Sequence, residues 1–192
     1  SIFKIVSNEY KSEETVEKLL SALEELKRNV PVQYILGETE FYGLKLNVTK
    51  DVLIPRSETE ELVDWIIREN NPESMIRNPE SILDIGTGSG CIAIALKKNL
   101  FDADVFAIDI SDEALEIARQ NAQLNDVKVH FYKYDILNFI AHRSPLTVYR
   151  SPLTAHKFDI IVSNPPYIPL QERETLHPNV CNYEPHHALF VK

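Results

Sequence analysis

Four short stretches of this chain carry residues whose types and spacing could do chemistry. The first is Asn164-Pro165-Pro166-Tyr167, which with Ser163 directly follows the apolar run Phe158-Asp159-Ile160-Ile161-Val162. Neither proline can donate a hydrogen bond, and the residue before a proline is held extended. The junction is therefore stiff and rich in acceptors. An Asn oxygen, a backbone carbonyl and a flat aromatic ring suit a planar group that brings two N–H donors, an amide or an exocyclic amine. Read alone, the motif is equally a proline-rich turn closing a strand. The second stretch is the glycine loop Gly86-Thr87-Gly88-Ser89-Gly90, which lets a ligand approach the backbone. The third and fourth are Asp109 and Asp135. Asp109 lies 23 residues beyond Gly86, close to the roughly 20 expected of an acid that accepts from two ribose hydroxyls. Asp135 is placed for an adenine amine or the edge of a cofactor, and equally for a turn.

The elements that must position these residues follow a regular pattern. Ser81–Ile85 reads as a strand and Cys91–Leu96 as a helix. Ala103–Ile108 is a second strand, followed by a helix from Ser111 through Ala122, a third strand Val127–Tyr132, and a fourth, Phe158–Val162. Strands starting near 82, 105 and 128 recur every 23 residues, which predicts βαβ units and a parallel sheet with helices on both faces. All four chemical stretches then fall at strand carboxyl ends, where open parallel sheets bind ligands.

Ahead of the sheet, residues 12–28 predict an amphipathic helix with Val16, Leu19, Leu20, Leu23 and Leu26 on one face and Ser12 as its N-cap. Val32–Leu36 and Phe41–Val48 predict extended structure around a turn at Gly37–Glu40, a hairpin-like connector. Ser57 with Glu60 has the spacing of a capping box and places a helix start there. At that start, Arg56 and its acidic neighbours read first as a solvated surface ion pair, with a border of the cofactor cleft as the functional alternative. Arg-Ser-Pro-Leu-Thr occurs at 143–147 and again at 150–154, a surface loop insertion to which no chemistry is assigned.

Asp84-Ile85-Gly86-Thr87-Gly88-Ser89-Gly90 followed by Asn164-Pro165-Pro166-Tyr167 resembles class I S-adenosylmethionine-dependent methyltransferases that methylate amino groups. Further segments are similar to the peptide chain release factor N5-glutamine methyltransferases, the PrmC or HemK family. They are Pro31–Gly37, Glu40–Gly43, Ile54-Pro55-Arg56 with Glu58-Thr59-Glu60, and Tyr183-Glu184-Pro185 before Ala188-Leu189. The family usually has Pro where Ser57 stands. The resemblance implies a Rossmann-like methyltransferase sheet over residues 51–192, preceded over 1–50 by a partial helical segment and hairpin connector that recognises the substrate protein. The family's sheet has seven strands and this chain supplies about four, so the chain reads as a fragment at both ends.

The resemblance also implies roles. The cofactor is S-adenosylmethionine, with S-adenosylhomocysteine as product, held by Gly86, Thr87, Gly88, Ser89, Gly90, Asp109, Asp135, Ile136 and Asn164. Asn164, Pro165, Pro166 and Tyr167 form the catalytic face. There Asn164 and the Pro165 carbonyl accept the two hydrogens of a glutamine amide, and Tyr167 packs on it. The implied partner is a peptide chain release factor, in the cytoplasm.

Composition limits the alternatives. The chain has 192 residues, 44% hydrophobic and 26% charged, with a net charge of -9. That charge argues against gripping duplex DNA through its phosphates and so against the first rival, an N6-adenine methyltransferase of DNA or RNA. A non-catalytic module that binds cofactor or a partner is the second rival. A nicotinamide oxidoreductase is a third, disfavoured because Cys91 stands where G-x-G-x-x-G requires its last glycine. Cys91 and Cys181 are too few and too far apart for a disulfide framework, and His177, Cys181, Glu184, His186 and His187 lack the tight spacing of a metal site. No apolar run approaches a membrane span. Neither a metal nor a membrane is expected, nor direct contact with nucleic acid.

Overall fold

The computed structural model describes residues 13–69, 79–137 and 157–191; the Ser12 cap and the Arg-Ser-Pro-Leu-Thr repeat lie outside them. Helix α1 spans Glu13–Lys27. It ends at Asn29, in the left-handed region at φ 63, where the N–H groups of Asn29 and Val30 return to the carbonyls of Leu26 and Glu25. This is the Schellman arrangement, with asparagine in glycine's usual place. The leucine face of α1 is exposed.

Val32–Leu36 forms a short helix, α2, not the extended segment its sequence suggests. One helical turn swings Tyr34 onto the body, where it packs with Val48, Val52, Ala114 and Ile117. Its hydroxyl donates to the Val52 carbonyl at 2.7 Å. Gly37 then closes the helix at φ 73 and is not the hairpin turn. The hairpin pairs β1 (Glu38–Phe41) with β2 (Leu44–Asn47) around Tyr42-Gly43, both at positive φ, 50 and 73. Two positive values in a two-residue loop mark the turn whose twist matches that of its strands.

Helix α3 (Ser57–Glu69) begins where the sequence indicates, but the capping box does not form. The Glu60 carboxylate accepts the Tyr42 backbone N–H at 2.7 Å, so it ties the hairpin to the helix and does not return to its own N-terminus. Val63, with Leu62, Ile66 and Ile67, joins the main core.

The central sheet contains β3 (Ser81–Ile85), β4 (Asp104–Asp109), β5 (His130–Lys133) and β6 (Ile160–Ser163), in the order β5-β4-β3-β6. All three pairings are parallel. Helix α4 (Cys91–Asn99) links β3 to β4, and α5 (Asp112–Leu124) links β4 to β5. The Ser111 hydroxyl caps α5 by accepting the Ala114 N–H at 3.0 Å. Strand residues alternate between two clusters. Ile82, Val105, Ala107, Ile160 and Val162 pack with α3 and α4, whereas Leu83, Phe106 and Ile108 pack with Tyr132, Tyr134, Ile136 and Phe158. Phe41 and Leu46 of the hairpin share the first cluster, so connector and sheet have one core. After β6 the chain forms β7 (Ile168–Pro169), a 3-10 turn at Leu170–Thr175, α6 (Pro178–Tyr183), α7 (His186–Leu189) and β8 (Phe190–Val191), which returns parallel to β7.

One buried carboxamide joins three of these parts. Asn121 of α5 is fully buried. Its Oδ1 accepts the Asn47 N–H at 2.6 Å, and its Nδ2 donates to the carbonyls of Asn47 (3.0 Å) and Ser89 (2.9 Å). It acts as a peptide group paired to the free edge of β2 while holding the glycine loop. Asn121→Leu keeps the volume and leaves three backbone groups without that partner. With each buried unpaired group costing about 1–3 kcal/mol, the variant should lose about 3 kcal/mol or more of stability, read from urea unfolding.

Candidate functional site

The site begins where β3 ends. The Gly86 and Thr87 N–H groups both donate to the Ile108 carbonyl, at 2.9 and 3.0 Å, which folds the loop over the end of β4. Gly86 and Gly88 have φ 72 and 54, and nothing stands within 4 Å of where a Cβ would be. Their backbone is open to a ligand. Gly90 differs: a Cβ there would meet Ile94 at 3.0 Å and Ala118 at 3.1 Å, so this glycine lets α4 lie close to α5. Thr87 and Ser89 are buried.

Asp109, at the end of β4, closes the loop. Its Oδ2 accepts the Gly88 N–H at 2.8 Å and its Oδ1 the Ser111 N–H at 3.0 Å. Each carboxylate oxygen keeps a second lone pair for a ligand hydroxyl. Asp84, under the loop, is fully buried. Its Oδ2 accepts from the Thr87 hydroxyl at 2.6 Å, and its Oδ1 has no hydrogen-bond partner among the described residues. Burial, with a smaller contribution from the Asp109 charge, raises its pKa to about 7 against the opposing Thr87 and Ala93 contacts.

β6 delivers the second half of the site beside the first. Ser163 is in register with Ile85, and its hydroxyl donates to the Ile85 carbonyl at 2.7 Å. The next residues, Gly86 and Asn164, therefore leave adjacent strands about 4.8 Å apart at the same level. The sheet reverses its order here, with β4 on one flank of β3 and β6 on the other. Asn164 Nδ2 donates to the Thr59 hydroxyl at 3.1 Å. A cleft in front of Asn164 is lined by Arg56, Pro165, Tyr167, Val180 and Leu189, among others. Pro166 is half-buried, and Tyr167 is largely exposed.

Arg56 is more than a surface charge. Its Nη2 lies 2.6 Å from Glu184 Oε1, and the Glu184 side chain is 2% exposed. The other Glu184 oxygen accepts the Ile54 N–H at 3.3 Å. This pair fastens the connector to the segment after Tyr167, and Tyr183 adds a bond from its hydroxyl to the Arg28 carbonyl. Thr59, Asn121 and Glu184 are the members that sequence reasoning did not single out. Glu184 was named in Tyr183-Glu184-Pro185 and in the group that lacks metal-site spacing, and Thr59 in Glu58-Thr59-Glu60, neither with a role of its own.

Asp135 and Ile136 lie one strand further from the reversal. The Tyr134 N–H donates to the Asp109 carbonyl at 2.9 Å, which brings this segment alongside Asp109. Asp135 Oδ1 accepts the Leu137 N–H at 3.0 Å, and Ile136 packs toward the Leu83 cluster. Cys91 is buried, its thiol pushed up to about 12, chiefly by burial. Among the described residues no group of three or more His, Cys, Asp or Glu could hold a metal ion, and no helix is long and apolar enough to cross a membrane.

Residues 76–190 match the family model described as a methyltransferase domain. The chain is 52% identical over 172 residues to the release factor glutamine methyltransferase of Flavobacterium psychrophilum, covering 90% of this chain and 56% of that protein. It is 47% identical over 166 residues to the protein of the same name from Bacteroides thetaiotaomicron, covering 86% and 54%. It thus spans about half the length of the curated relatives it matches. The hMettl16 catalytic domain, solved in complex with the MAT2A 3'UTR hairpin 6, shares the fold with a TM-score of 0.53 and 18% identity, over 86% of this chain and 59% of that one.

Asp84 gives the site a pH signature. Its folded pKa, about 7, lies above its ordinary 3.8, so the folded state holds the extra proton between these values. Stability from neutral Asp84 is present below pH 3.8 and is lost as pH rises toward 7. Asp84→Asn stays neutral and still accepts from Thr87. It should exceed the parent in stability at pH 8 by on the order of 1–4 kcal/mol and not at pH 4, as measured by denaturant unfolding at both values.

Proposed function

The chain belongs to the methyltransferase-domain family, and we propose that it is the cofactor-binding and catalytic part of an enzyme that methylates a glutamine side-chain nitrogen in peptide chain release factors. The observation that carries this reading is the pairing of Ser163 with Ile85, which sets the acceptor face of Asn164 beside an open glycine loop. Relatives at 52% and 47% identity bear that activity in their names.

The residues present fit S-adenosylmethionine. The Gly86 and Gly88 backbone leaves room for it. Asp109 has lone pairs for two ribose hydroxyls, and Asp135 and Ile136 stand where the adenine edge would lie. Thr87, Ser89 and Gly90 shape the loop from behind, with Gly90 serving the packing of α4 on α5. When bound, the cofactor supplies a methyl group on a positively charged sulfur and leaves as S-adenosylhomocysteine.

The chain's own contribution is placement. An amide nitrogen is a weak nucleophile because its lone pair is shared with the carbonyl. Asn164 Oδ1 and the Pro165 carbonyl accept its two hydrogens, fix the nitrogen and aim it at the methyl carbon, while Tyr167 covers the amide plane. Orientation of this kind supplies several kcal/mol of the barrier. Pro166 keeps the backbone from turning away. The cleft has a free volume of about 60 Å³. Residues 1–50 serve recognition of the release factor, which places the reaction with translation in the cytoplasm.

Full-length protein, methyl-labelled cofactor, release factor and nucleic acid provide the test. Label should enter the release factor at glutamine. Asn164→Ala should lower turnover by about a hundredfold or more while cofactor binding, read by calorimetry, persists. Label in nucleic acid alone would overturn the proposal, and cofactor binding without transfer to either would leave a binding module.

A further inference from the structure

Resting on that reading, we infer that Arg56 binds the oxygen of the substrate amide, the polar atom of that group which Asn164 and the Pro165 carbonyl leave without a partner. A carboxamide has two N–H donors and one acceptor oxygen. The two acceptors at the proline junction take the N–H groups. The oxygen enters the same cleft and loses its water there, and an unpaired polar atom out of water weakens binding.

The cleft wall offers few donors. Leu53, Ile168, Val180, Ala188 and Leu189 line it with side chains that have no hydrogen-bonding group. A Tyr167 ring laid over the amide plane keeps its hydroxyl away from the oxygen at the edge of that plane. Arg56 lines the same cleft. A guanidinium carries five N–H groups in one plane, and among the described residues the Arg56 side chain uses one of them, from Nη2 to Glu184 Oε1 at 2.6 Å. Its side chain is 33% exposed and that of Glu184 only 2%, so the accessible part of Arg56 lies on the cleft side of the ion pair. Thr59 joins Arg56 to Asn164: its N–H donates to the Arg56 carbonyl at 3.0 Å, and its hydroxyl is bonded to the Asn164 side chain at 3.1 Å.

Glu184 also suits Arg56 to this place. Its carboxylate offsets the guanidinium charge, so the donor adds little repulsion toward a positively charged sulfur. A donor on an amide oxygen draws the nitrogen lone pair further into the carbonyl. The contact therefore serves binding and orientation, and the methyl transfer itself gains nothing from it. Two points at the N–H groups and one at the oxygen fix the amide plane.

The test is a double-mutant cycle between Arg56 and the target glutamine, in the full-length protein with S-adenosylhomocysteine bound. Calorimetry gives Kd for the release factor and for the release factor with methionine at the target position, which keeps the side-chain length and has no amide oxygen. Arg56→Lys keeps a cation for Glu184 and removes the planar fork. In the parent, methionine should weaken binding by more than about tenfold; in R56K that penalty should shrink by about tenfold, and in turnover the loss should lie mainly in KM. A parent indifferent to the methionine, or R56K weakening both release factors by the same factor, would overturn the inference while labelling of the release factor by the parent keeps the function intact. If R56K does not fold, a crystal structure of the unaltered protein with S-adenosylhomocysteine and release factor decides: an Arg56 nitrogen within about 3.2 Å of the glutamine oxygen upholds the inference, and an oxygen held elsewhere overturns it. A parent that labels no release factor takes both down.

Discussion

The sheet reverses its strand order at β3, and the candidate site exists because of that reversal. A parallel sheet delivers every strand's next residue at one edge. Where neighbouring strands belong to successive units, the connections leave on the same side and fill the space between them. At β3 the order reverses, with β4 on one flank and β6 on the other, and open parallel sheets keep a ligand crevice at such a point. Gly86 and Asn164 emerge into it at one level, because Ile85 and Ser163 are in register and joined by a 2.7 Å hydrogen bond. A loop that bares its backbone and a side chain that offers an oxygen are thereby set face to face without either belonging to the other's unit.

The sheet supplies only two walls of this crevice. The third comes from residues 54–60, held by contacts that carry more specificity than net stability. A buried ion pair such as Arg56–Glu184 recovers little beyond the cost of desolvating its charges. It does fix geometry, because Glu184 also accepts the Ile54 N–H and neither oxygen can drift. Asn121 does similar work at the other end of the connector, where its carboxamide completes the hydrogen bonding of β2 and of the glycine loop at once. The hairpin is therefore part of the frame that holds the site, and its residues Phe41 and Leu46 lie in the same core as the sheet.

The sheet was legible in the sequence because β3 and β4, buried along nearly their whole length, are written as apolar runs, and the first three strand starts recur at a fixed interval. Ser81–Ile85 falls where it was read, and the other strands fall within three residues of it at their starts. Asn164 and Asp109 were legible for the same reason, since a strand's carboxyl end is a position as well as a residue type. The connector was not. Val32–Leu36 is too short to show a period, and what makes it helical is the bond from Tyr34 to Val52, 18 residues on. Ser57 and Glu60 have capping-box spacing, but a backbone N–H from the hairpin takes the glutamate. Arg56 and Glu184 meet across 128 residues and Asn121 and Asn47 across 74, distances at which no local pattern carries information. Within the glycine loop the residue types did not tell which glycine faces a ligand and which faces a helix, because that depends on where Ala118 packs.

The central claim is that the glycine loop and Asn164 are two halves of one methyl-transfer site. A crystal structure of the full-length protein with S-adenosylhomocysteine tests it most directly. The account predicts the ribose hydroxyls at the Asp109 carboxylate, the amino-acid portion over Gly86 and Gly88, and the sulfur facing Asn164 Oδ1 across the crevice. A ligand bound away from the end of β3, or with its sulfur directed away from Asn164, would contradict it.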